Sequence, residues 1–113
     1  MTIAFRRDAF LTYVKRHHRG FDETSGGRAM RHSTRCVFDQ QGQCIGHAVV
    51  EILGRREGEW IVFDTRRTRI WGKSARTDRA RWQAEAVQIL EQDARRVSEE
   101  FGPAAVEVTR EGT

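Results

Sequence analysis

The chain reads as an α+β domain: a small antiparallel sheet of three to four strands, with an N-terminal and a long C-terminal helix packed on one face, in the order α-β-β-β-α(-β). Three observations predict it. Residues 5–18 place apolar side chains at helical spacing, and residues 35–71 are rich in β-branched and aromatic types interrupted by turn signals. Residues 77–102 then carry a long amphipathic pattern closed by Gly102-Pro103. Strands running between two helices place the chain in the α+β class, and 113 residues support one core, so a single domain over 1–113 is expected.

In the first helix Phe5, Ala9, Phe10, Tyr13 and Val14 form the apolar stripe, leaving Arg6, Arg7, Lys15 and Arg16 outside. Gly20 followed by Phe21 is the expected stop, with glycine in the left-handed position. Residues 22–34 are polar, glycine-bearing and aperiodic, the pattern of a flexible loop. Arg35 to Phe38 and Gln43 to Leu53 are strands flanking a turn at Asp39-Gln40-Gln41-Gly42, and Leu53 to Gly58 is a second turn. Trp60 to Asp64 and Thr68 to Trp71 are strand-like, either as one long bent strand or as a hairpin turning at Thr65-Arg66-Arg67. The second helix starts at Thr77-Asp78, where a threonine cap and an early carboxylate suit the positive helix end. Val87, Leu90, Ala94, Val97 and Phe101 line its face, broadened by Trp82, Ala86 and Ile89. Ala104 to Val108 alternates and is the candidate for a last strand.

All but Lys15 and Lys73 of the 20 basic residues are arginine, and the net charge is +4. The excess is uneven: residues 1–37 and 55–81 are basic, and residues 82–113 are acidic. Arginine presents a planar fork suited to phosphates, carboxylates and aromatic faces. The densest cluster is Arg66, Arg67, Arg69, Lys73, Arg76, Arg79 and Arg81, close in sequence to Trp71 and Trp82. Cations beside aromatic faces suit nucleic acid, and basic residues at a helix start oppose its dipole. Arg16, His17, His18 and Arg19 form a second cluster, which the negative end of the first helix explains without any ligand. The structural alternative for the main cluster is a solvated face whose arginines pair with Glu57, Glu59, Asp78 and the acidic second helix.

Signatures of catalysis are few. Ser25-Gly26-Gly27 has neither the lysine nor the strand–helix setting of a phosphate loop, and there is no nucleophile elbow. The His17-His18 pair has no partner visible in sequence. His32, Cys36, Cys44 and His47 match no zinc-knuckle spacing, and strand alternation puts Cys44 and His47 on opposite faces. Core-facing free thiols are therefore expected, with no metal and no cofactor. No apolar run approaches a bilayer span, and the charged start MTIAFRRDAF lacks a signal peptide's apolar stretch. A cytoplasmic chain without membrane contact is expected.

Two families share part of this pattern. With Gly72-Lys73-Ser74 before the second helix and Ala80-Arg81-x-x-Ala84 within it, residues 5–97 resemble a double-stranded RNA-binding domain. That resemblance implies phosphate contact at the helix start, although Thr77 and Asp78 stand where the family has its lysine pair. With the last strand added, the order is similar to the core of restriction-endonuclease-like nucleases. Glu51 and Asp64-Thr65-Arg66 would then be the magnesium-holding acids, with arginine in place of the family's lysine. The expectation drawn is a non-enzymatic nucleic-acid-binding module meeting phosphates through the Arg66–Arg81 surface, with Arg16, His17, His18 and Arg19 at the end of the first helix as a second contact. The alternatives are a protein-binding adaptor or inhibitor docking on an acidic partner and, third, a metal-dependent nuclease.

Overall fold

The computed structural model describes residues 1–72 and 79–110. The order is β1 (Thr2–Arg6), α1 (Arg7–Arg16), β2 (Gly20–Glu23), β3 (Arg28–Phe38), β4 (Cys44–Glu57), β5 (Trp60–Trp71), α2 (Arg79–Phe101), a 3₁₀ turn at Pro103–Ala105, and β6 (Val106–Thr109). The strands form one antiparallel sheet in the order β2-β3-β4-β5-β1-β6. The α+β class is as expected, while the sheet has six strands and the chain enters on a strand.

Each departure has a local cause. Phe5, expected on the first helix, is fully buried from β1, because Ile3 and Phe5 alternate inward. β1 lies between β5 and β6, so pairing along both edges overrides the helical spacing that Phe5 shares with Ala9. α1 closes through His18, whose φ of 53° takes the left-handed position expected of Gly20, and the Arg19 N–H donates to the Val14 carbonyl at 2.8 Å. Gly20 instead opens β2, where a Cβ would run into the His32 ring at 2.6 Å. Segment 22–34, expected as a loop, contains the end of β2 and the start of β3 around a turn at residues 24–27. Its polar composition concealed the alternation Ala29, Arg31, Ser33.

Gly54 does not make a turn. It lies within β4 opposite Phe63, and a Cβ there would meet the Phe63 ring at 2.7 Å. β5 is one strand, bent by a bulge: Phe63 opposes Gly54 and Thr68 opposes Ile52, so residues 64–67 stand opposite Leu53 alone. β6 covers Val106–Thr109 rather than 104–108. The expected start of α2 at Thr77-Asp78 lies outside the described residues.

One sheet face is covered. Ile3, Phe5, Val50, Ile52, Ile61 and Phe63 meet Phe10 and Tyr13 of α1 and Trp82, Ile89, Leu90 and Val97 of α2 in one core. Each such side chain contributes about 1.5–3 kcal/mol of burial. Within this core Arg31 and Asp93 are buried, and Arg31 donates to both carboxylate oxygens at 2.8 and 3.2 Å. The Tyr13 hydroxyl donates to the same carboxylate at 2.5 Å. Burial first, then this hydrogen bond, pushes the Tyr13 hydroxyl up to about 12.

Candidate nucleic-acid interface on the open sheet face

Among the described residues no helix covers the opposite face in the way α1 and α2 cover the first. Strand alternation decides what it presents. Because Val50 and Ile52 point into the core, their neighbours Val49 and Glu51 face outward, opposite Trp71 and Arg69. Trp71 is 56% exposed, the most solvent-open tryptophan among the described residues, and it stands at the end of β5. Gly72 follows with φ at 117°, and its backbone presses on the His47 carbonyl of β4, where no side chain fits. That close approach fixes the strand end carrying Trp71.

The β5 bulge is clamped from both sides. On the covered side Gln83 of α2 donates to the Thr65 carbonyl at 2.6 Å and accepts from the Thr68 hydroxyl at 2.7 Å. Asp64 receives the Arg66 backbone N–H at 2.9 Å and its guanidinium at 3.1 and 3.0 Å. The hydrogen bond from the Arg66 side chain, opposed in part by burial, holds the Asp64 carboxyl below its usual range. Arg69 pairs with Glu51 at 3.4 Å. Arg67, exposed on the bulge, has no hydrogen-bond or ion-pair partner among the described residues.

The expected cluster is therefore divided. Arg66 and Arg69 sit against carboxylates, Arg67 and Trp71 face solvent, and Arg79 is exposed in the first turn of α2. Arg81 lies over the Trp82 ring at 4.6 Å, and Trp82 itself is a core residue, so it offers no stacking face. Lys73 and Arg76 lie outside the described residues.

The helix-one cluster sits elsewhere, since α1 leads into β2, which β3 and β4 separate from β5. Arg16 and His17 both bind Glu100 of α2, at 2.7 and 2.8 Å. Their hydrogen bonds, Arg16 foremost, hold the Glu100 carboxyl below its usual range. His18 and Arg19 border a cleft of about 250 Å³ with Arg31, Arg35 and Gln92, residues that sequence reasoning left out, and with His32, which it weighed only as a metal ligand. Most of that cleft's charge is matched within the chain: Arg31 by Asp93, His32 by Asp22 at 3.0 Å, and Arg35 by Glu85 at 2.9 Å.

Sequence reasoning also misplaced the cysteines. Cys36 is half-buried, Cys44 is exposed, and the two are joined by a disulfide with Cα atoms 6.0 Å apart. They are not core-facing thiols. A register shift at Val37/Phe38 brings Cys44 to the side of Cys36 and His47, overturning the alternation that separated Cys44 from His47. Phe38 and Ile45, both exposed, end this hairpin.

Glu51 and Asp64 each carry an arginine, and neither belongs to a group of three potential ligands among the described residues. No helix among the described residues is long and apolar enough to cross a membrane. No family model, curated protein or solved structure matches the chain.

Proposed function

We propose that the chain is a non-enzymatic module that binds nucleic acid on its open sheet face, with unpaired bases stacking on Trp71 and the backbone phosphates meeting Arg67. The observation that supports it most is a solvent-open tryptophan at the end of β5, on a face that neither helix covers, four residues from an exposed arginine with no partner among the described residues. Stacking is tolerant of sequence because every base has a π face, and phosphate contact fixes position without reading it. Arg69 is a second phosphate contact when it exchanges Glu51 for the ligand. Magnesium-assisted cleavage at Glu51 and Asp64 would need both carboxylates to release their arginines, so no catalytic step is assigned there.

The test is fluorescence titration with a short oligothymidylate across a salt series. Wild-type protein binds at low salt with tryptophan quenching. Trp71→Ala weakens binding by about 1–3 kcal/mol. Arg67→Ala lowers the log–log salt slope by about 0.7 on a single strand. A wild-type chain that fails to bind at low salt would sink the reading, as would two variants, shown folded by circular dichroism, that bind like wild type.

One observation favours a protein partner as second reading. β2 pairs with residues 29–32 of β3, which leaves residues 33–38 of that strand, Arg35 among them, as a sheet edge beside Arg19 among the described residues. An acidic segment adding a strand there would gain backbone hydrogen bonds and charge complementarity. A partner retained after nuclease digestion of a pull-down supports this reading; one that vanishes supports the first.

A further inference from the structure

We propose that Cys36, Cys44 and His47 form a thiol-gated site for a soft divalent cation of the zinc class, open when both cysteines are reduced and closed by their disulfide. The two Sγ atoms and a ring nitrogen of His47 all lie within 4.8 Å of one another. Ligand atoms about 2.0–2.3 Å from one tetrahedral ion are separated by distances inside that limit, so a small ion fits among these three donors with short side-chain adjustments.

The placement is built by the sheet. Cys36 and His47 are direct cross-strand partners, and Cys44 reaches them because the register shifts at the hairpin end. The turn that closes the hairpin is held by Asp39, whose carboxylate accepts from the Gln41 and Gln43 backbones at 2.9 Å each. The donors therefore sit on paired strands rather than on a loose loop. Their chemistry is selective as well: two thiolates and an imidazole suit zinc and comparable soft ions over magnesium or calcium. Three protein ligands leave a fourth position for water or a ligand, and the exposure of Cys44 and His47 gives that position access to solvent. His17 and His32 are each held by a carboxylate, whereas the His47 ring has no partner among the described residues.

The two states exclude one another by electron count. In the disulfide each sulfur is bonded to the other and neither is a thiolate. A dithiol reductant donates two electrons and two protons, breaks the S–S bond, leaves two thiols and becomes a disulfide itself. Binding the ion then releases the two thiol protons and forms two metal–sulfur bonds, with His47 supplying a neutral nitrogen. The inference uses none of the residues assigned to nucleic acid and stands independently of that reading.

The experiment titrates the full chain with cobalt(II), as a spectroscopic stand-in for zinc, after reduction by a phosphine and again after oxidation. The reduced protein is expected to take one ion per chain with thiolate-to-cobalt charge-transfer absorption that zinc displaces, and to release two protons per ion. Oxidised protein gives no such absorption. Cys36→Ser and Cys44→Ser each abolish the two-thiolate spectrum. His47→Ala retains a thiolate band and weakens binding by roughly tenfold or more, at least the loss seen for outer-shell partners. Circular dichroism checks that each variant is folded. The proposal is overturned if reduced wild-type protein shows no cobalt–thiolate absorption, if His47→Ala binds like wild type, or if one ion is shared between two chains.

Discussion

On the covered face of the sheet, Arg31 is 5% exposed and its guanidinium is enclosed by Asp93 and backbone carbonyls. On the β5 bulge, Arg67 stands in solvent with no partner among the described residues, and on the open face Arg69 leans on one carboxylate at 3.4 Å. The same residue type thus serves two purposes. Where water is excluded, a guanidinium must have its donors matched, so Arg31 is fixed in place and unavailable to any ligand. Where the sheet is uncovered, pairing is optional and an incoming phosphate can compete for the donors. Position on the sheet, rather than abundance in the sequence, separates structural arginines from those free to bind.

The strongest break of this comparison is Asp93→Ala. It leaves Arg31 buried with its main acceptor gone and removes the acceptor of the Tyr13 hydroxyl. Removing one partner of a buried pair costs about 3–5 kcal/mol, read as a fall in the urea midpoint at unchanged slope. Replacing both charged partners together, as Arg31→Met with Asp93→Leu, should recover much of that loss. A single-variant cost below about 1 kcal/mol would show that the network is not structural.

Next in size is an alkaline effect with a sign that follows from Tyr13. Its folded value of about 12 lies above the unfolded value near 10, so the unfolded state loses its proton first as pH rises. The stabilisation is complete below about pH 10 and is lost on the way to 12, amounting to about 2–3 kcal/mol. Tyr13 is the chain's only tyrosine, so tyrosinate absorbance reports this group alone. The native protein should titrate near 12 and the urea-unfolded chain near 10, and Tyr13→Phe should flatten the stability profile over that window. A native midpoint near 10 would place the hydroxyl outside the network.

These two faces were unequally legible in the sequence. The stripe of α2 was visible in helical spacing but off-centre: of the expected face Leu90 and Val97 are buried while Val87, Ala94 and Phe101 are half-buried, and the expected flank of Trp82, Ala86 and Ile89 is buried. Asp93 lies on that same stripe, one turn from Ile89 and from Val97, and a carboxylate in a core position is itself a signal of a buried cationic partner. Ala29 and Arg31 alternated inside a stretch whose glycine and hydroxyl content read as loop, so β3 began later on paper than in the fold. Pairing with β2 and β4 supplies what local composition did not. Bulges were the least legible feature. One slipped residue at Val37/Phe38 reversed the face assigned to Cys44, and the bulge after Phe63 decided which of Arg66, Arg67 and Arg69 would be matched. Neither has a composition signature of its own.

The smallest effect is the one that best sharpens the contrast between faces. The Arg69 side chain is 64% exposed, whereas that of Glu51 is 14% exposed, so their ion pair sits between a solvated guanidinium and a mostly enclosed carboxylate. A pair with one partner in water is weakened by screening and by the entropy of a long side chain, and such pairs contribute about 0.2–1 kcal/mol. Arg69→Ala should therefore cost no more than about 1 kcal/mol, with the cost shrinking as salt is added. Glu51→Gln should behave similarly, since it leaves Arg69 free to hydrate. Denaturant midpoints of both variants at low and high salt make the comparison. A loss as large as that of Asp93→Ala, insensitive to salt, would mean that this end of the open face is part of the fold's internal ion-pair framework. Arg69 would then be as unavailable to a phosphate as Arg31.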